Sequence, residues 1–136
     1  MTSTRFACTA AMTLGLTVLL NTTAAQAQAG AACEPLSRQT EHLNACAVQR
    51  FQQADTAQNM LYADVMRALS AHERPDLRKD QTAWSRQRTA LCKQRHAADE
   101  SRADWPQRYH DCLTEATEAR RQALMHWLHT GSAPSS

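Results

Sequence analysis

Apolar side chains recur along this chain in two rhythms. The first is a near-continuous run, Phe6 to Leu20, behind a single charge at Arg5. It is followed by Asn21-Thr22-Thr23 and then by Ala25-Gln26-Ala27 and Ala27-Gln28-Ala29. A short basic start, an apolar stretch and an A-x-A site describe a secretory signal peptide, here assigned to residues 1–29. The run falls short of the ~20 residues a membrane-spanning helix needs. Gly30-Ala31-Ala32-Cys33 has Gly30 where a lipoprotein box wants Leu or Val, which argues against lipid anchoring at Cys33. The mature chain is expected to be periplasmic or secreted.

The second rhythm has steps of three and four, the mark of helices with one buried face. Leu43, Ala47, Phe51, Ala54, Leu61, Val65 and Leu69 predict a helix from Thr40 to Ala71, with Thr40 as N-cap and Gln58 interrupting the stripe. Arg74-Pro75 breaks this pattern, because a residue before proline avoids the helical region. A second helix is expected from Asp76 to Ala97. A third opens at Asp104-Trp105-Pro106-Gln107, where Asp104 caps and Gln107 completes a capping box. Its stripe is Tyr109, Leu113, Ala116, Ala123 and Trp127, with Gly131 as its stop. The helical domain covers residues 30–131, and 132–136 form a flexible tail.

Composition narrows the class. Three glycines in 136 residues are too few for the turns of a β-sandwich or barrel. Removing the signal peptide takes away Arg5 and Cys8, so basic and acidic residues nearly balance and nucleic-acid binding has no support. Cys33, Cys46, Cys92 and Cys112 remain, and four cysteines in a small exported chain read as two disulfides. Short connections make consecutive helices antiparallel, so residues equally distant from a turn lie side by side. On that ruler Cys92 meets Cys112, whereas Cys46 and Cys92 are about ten residues, or ~15 Å, out of register. Cys33 then folds back onto Cys46, with Pro35 breaking any helix between them. The expected fold is all-α: a small antiparallel three-helix bundle cross-linked by two disulfides.

The second helix carries the densest pattern, Gln81-x-x-Trp84-x-x-x-Arg88-x-x-x-Cys92, with all four side chains on one inward face. A core-facing arginine requires partners. The ruler puts Arg88 near Asn59 and within reach of Asp55, and Arg120 opposite Gln81 and Trp84, where guanidinium can stack on indole. Asp55, Asn59, Tyr62, Gln81, Trp84, Arg88 and Arg120 are therefore expected to form a structural polar network fixing helix register.

Together these residues resemble the LprI-type lysozyme inhibitor family. The resemblance runs from Cys33 to Leu124 through Leu43-Asn44-Ala45-Cys46, Asp55-x-x-x-Asn59-x-x-Tyr62 and the Gln81-to-Cys92 pattern. It closes with Cys112-Leu113 and Arg120-x-x-x-Leu124. Gln58 departs from it, standing where the family has an apolar residue, and Ala97 to Ser101 replaces a Gly-rich turn. The resemblance implies an exported, helical, disulfide-bonded protein that binds and inhibits lysozyme through protein–protein contact.

Charge distribution suggests where such a partner would sit. Glu73 to His96 holds seven basic and three acidic residues; Ala97 to Thr130 holds four basic and six acidic. Asp111, Glu115 and Glu118 recur at steps of four and three as an acidic outer stripe, and Glu100 and Asp104 lie in the preceding turn. These five are the expected partner-binding residues, since acidic groups steer and select a basic enzyme. The scattered histidines, His42, His72, His96, His110, His126 and His129, form no grouping with the nucleophiles or carboxylates of a catalytic site. No enzyme activity, cofactor or metal is expected. The alternative function is a non-catalytic structural or interaction module of the cell envelope.

Overall fold

The structure is a computed structural model that describes residues 30–135; the expected signal peptide lies outside them. Three helices follow one another: α1 (Thr40–Ala68), α2 (Arg74–Arg95) and α3 (Trp105–Thr130), with a short 3-10 turn at Ala97–Asp99. No strand occurs among the described residues. The chain runs up, down and up, so α1 and α3 are parallel to each other and antiparallel to α2.

The helix ends differ from expectation in ways the packing explains. α1 stops at Ala68 because Leu69 turns to an extended conformation and buries itself in the core. Ser70 N–H donates to the Glu73 carboxylate at 2.8 Å, and Arg74 Nε donates to the Leu69 carbonyl at 3.0 Å. That turn starts α2 two residues earlier than expected, with Pro75 inside its first turn. Proline is tolerated there because first-turn N–H groups have no helical partner. α1 begins at Thr40 as expected, but Gln39 occupies the cap position and makes no side-chain capping bond. At the far end of α3, Gly131 adopts φ 69°, the left-handed stop that favours glycine.

Two apolar clusters hold the helices together. Val65, Leu69, Leu77, Leu124 and Trp127 form one where the α1–α2 turn meets the end of α3. Cys92, Cys112 and Leu113 form the other, against Phe51 and Tyr109. Both expected disulfides are present: Cys33–Cys46 with Cα atoms 4.4 Å apart, and Cys92–Cys112 at 5.8 Å. The first folds the N-terminal segment onto α1, and the second welds the C-terminal part of α2 to α3. α1 and α3 pack closely along their length, while α2 is held off by large side chains.

Candidate functional site

Those large side chains are the polar layer between α2 and the α1–α3 pair. Arg88 reaches from α2 to donate to Asp55 Oδ1 at 2.7 Å and to Thr117 Oγ1 at 2.8 Å. Thr117 is buried, and its hydroxyl donates a hydrogen bond to the Leu113 carbonyl at 2.6 Å. Asn59 donates to Asp55 Oδ2, so that carboxylate is shared between two helices. Arg120, 6% exposed, donates to Gln81 Oε1 at 3.2 Å and to Asp80 Oδ2 at 2.6 Å. Trp127 Nε1 donates to the same Asp80 oxygen at 2.7 Å. Trp84 lies between the two halves, its ring centroid 4.7 Å from the Arg88 guanidinium carbon and 5.3 Å from that of Arg120. Arg88 also sits 5.2 Å from the Phe51 ring.

Six of the seven expected network residues therefore meet. Tyr62 packs instead against the Val65–Leu77–Leu124 cluster. Asp80 and Thr117, which the sequence did not single out, belong to the layer, as does Trp127, expected only on the apolar stripe of α3. A spacing signal for Asp80 existed, since Asp80 and Gln81 adjoin and both face Arg120 across the turn. Each buried guanidinium has a carboxylate, which burial of a cation requires. Both carboxylates of the layer are bonded to arginines and lie between helices, while Arg88 Nε is buried without a partner among the described residues.

The expected partner-binding carboxylates divide into two sets. Asp104 accepts from Arg102 Nε at 2.8 Å and from Arg108 Nε at 2.9 Å. Those two guanidiniums hold its carboxyl well below the usual carboxylate range, the Arg102 hydrogen bond contributing most. Asp111 pairs with Arg50 of α1 at 2.6 Å. Glu100, Glu115 and Glu118 are exposed and make no ion pair among the described residues. Glu115 and Glu118 share the outer face of α3, while Glu100 lies in the turn before it.

Asn44 is a contributor the charge pattern missed. From α1 it donates through Nδ2 to the Ala103 carbonyl at 2.9 Å, and its Oδ1 accepts from the Gln107 backbone N–H at 3.1 Å. It thus caps α3 from a neighbouring helix. Asp104 occupies the N-cap position without a capping bond, because its carboxylate is engaged by the two arginines. Trp105 closes the same turn by donating Nε1–H to the His96 carbonyl at 3.1 Å, and its ring stacks on Tyr109 with centroids 4.9 Å apart.

Among the described residues no three His, Cys, Asp or Glu side chains cluster as metal ligands, and no helix is long and apolar enough to cross a membrane. Neither a curated protein nor a solved structure matches the chain. A family model described as lysozyme inhibitor LprI matches residues 31–124, a span that takes in both disulfides and all of the polar layer but Trp127. The chain belongs to the LprI lysozyme inhibitor family.

Proposed function

We propose that this chain is an exported, non-enzymatic protein that binds and inhibits lysozyme by protein–protein contact. Family membership over residues 31–124 is the observation that carries the reading. Export rests on the signal-peptide pattern of residues 1–29 and on the cysteine pairing, which suits an oxidising compartment. The contact is assigned to the acidic side of the molecule, the α3 stripe with its preceding turn. Glu100, Glu115 and Glu118 are available to a basic partner, whereas Asp104 and Asp111 spend their charge on arginines of this chain. The outer face of α2 carries Arg78, Lys79, Arg86 and Lys93 with no ion pair among the described residues, and it would repel such a partner.

Inhibition of cell-wall clearing by lysozyme tests this. Neutralising Glu100, Asp104, Asp111, Glu115 and Glu118 together, by Glu→Gln and Asp→Asn, is expected to abolish inhibition. Neutralising only Glu100, Glu115 and Glu118 should weaken it by up to about a hundredfold, since exposed charges contribute up to ~1 kcal/mol each. Unchanged inhibition in the five-fold variant rejects the site. If the oxidised wild-type chain inhibits no lysozyme type at micromolar concentration, the envelope-module function replaces this one.

A further inference from the structure

The segment ahead of α1, residues 30–39, adds almost nothing to the core: Cys33 and Ser37 are partly buried and every other side chain in it is exposed. Leu36 is 99% exposed, more than any other large apolar side chain among the described residues. Yet the segment is firmly held. Cys33 is bridged to Cys46 of α1, and His42 Nδ1 lies 2.7 Å from the Ala32 carbonyl. Ser37 N–H donates to the Glu34 carbonyl at 3.0 Å, closing a turn over Glu34-Pro35-Leu36-Ser37. Pro35 takes the second position of that turn, where its fixed φ suits the bend. Gln39 N–H then donates to Ser37 Oγ at 3.2 Å and leads the chain into α1. Leu36 is therefore carried at the tip of a braced turn. A single leucine in water is ordinary on a protein surface. A covalent bridge that holds a turn outside the core is not.

We infer that Leu36 is an anchor that enters an apolar pocket of a protein partner, on the same contact surface as Glu100. α1 and α3 run parallel, so the start of α1 and the turn before α3 lie at one end of the bundle. Asn44 joins them through its bonds to Ala103 and Gln107. Leu36 and the acidic turn thus share that end. A turn already fixed presents its side chain with little ordering cost on binding. Glu34 and Arg38, both exposed, stand two residues to either side of Leu36, so their opposite charges offset and the tip selects by apolar fit. That favours a protein pocket over a membrane. Insertion into an anionic bilayer calls for a cationic surround and several apolar side chains, and this turn offers one leucine. That the pocket belongs to lysozyme rests on the proposed function.

The clearing assay tests the anchor, run with the oxidised mature chain against animal-type lysozyme at low and at high salt. Leu36→Ala should weaken inhibition by about tenfold to a hundredfold, the loss on truncating an interface anchor, and by the same factor at both salt concentrations. Neutralising Glu100, Glu115 and Glu118 should matter less at high salt, where charge is screened. Leu36→Ala should leave the melting temperature unchanged, because the side chain touches no core. Leu91→Ala, which truncates a half-exposed leucine of α2, should leave inhibition unchanged. Replacing Cys33 and Cys46 by alanine should weaken inhibition while the circular-dichroism spectrum stays helical, since the freed turn no longer presents Leu36. Undiminished inhibition by Leu36→Ala, from a wild type that inhibits, overturns the anchor and leaves the proposed function standing. So does full inhibition by the cysteine variant, or an equal loss in Leu36→Ala and Leu91→Ala. A wild type that inhibits no lysozyme type overturns both readings. Sedimentation of the wild type as a dimer that Leu36→Ala dissociates would give the anchor to a second copy of this chain. Binding to phosphatidylglycerol vesicles that is lost in Leu36→Ala would give it to lipid. Either result overturns the inference.

Discussion

Asp104 shows how a residue's neighbours reassign its role. An aspartate just before a helix is expected to cap it, yet two arginines, Arg102 and Arg108, take both its oxygens. Its folded-state carboxyl titrates below its unfolded value, which is near about 4. It therefore contributes stability that is fully present above that unfolded pKa and is lost as pH falls through the folded one. Compared with Asp104→Asn, the wild type should lose melting temperature faster as pH drops from about 5 to about 2, with a constant difference above pH 5. Parallel slopes across that range would show that the pair contributes nothing. The group is partly exposed, so the difference should shrink at high salt. None of this was legible in the chain order, because Arg102, Asp104 and Arg108 read equally well as a solvated charge run. The Arg88–Asp55 contact was legible, because an arginine on the Trp84–Cys92 face had to find an anion within reach of its register.

Helix faces and breaks came through at the scale of elements, and the end of α1, the start of α2 and the cap of α3 did not. The periodic stripes predicted three helices, and all three form. The end of α1 moved because Leu69 gains more by leaving the helix to enter the core than by extending it, a choice only packing makes. The start of α3 is the clearer instance. Its N-terminal N–H groups need an acceptor, and one comes from Asn44, sixty-three residues earlier than the Gln107 amide it serves. Asn44→Ala should destabilise the protein by about 1–2 kcal/mol, the usual loss for a helix cap, measured by urea unfolding. A change within error would assign the capping of α3 elsewhere. Local sequence could not name this cap, since a residue on another helix supplies it.

At the scale of the molecule, the two disulfides do different work. Cys92–Cys112 joins two buried sites and ties α2, otherwise held by polar side chains, to α3. Cys33–Cys46 ties down a segment that buries little, with Leu36 99% exposed. Replacing Cys92 and Cys112 by alanine should lower stability by about 3 kcal/mol, the loop-entropy value for a bridge of this span. Replacing Cys33 and Cys46 should lower it by less than half as much, because the freed segment can detach without opening the core. Equal losses in denaturant titrations would contradict this division. The same scale separates charge: basic groups line the outside of α2, while Glu100, Glu115 and Glu118 stand unpaired among the described residues on α3 and in the turn before it. What the sequence determined alone was periodic or arithmetical. It set the three helices, the disulfide pairing, the Arg88–Asp55 and Arg120–Gln81 meetings, and the LprI family. All but the family, which rests on resemblance, follow from residue spacing and from turns short enough to fix register. Tertiary structure alone decided which carboxylates are paired, where α1 ends, what caps α3, and that Gln58 is buried. Those outcomes depend on which side chains converge from separate helices, and chain order does not carry that distance.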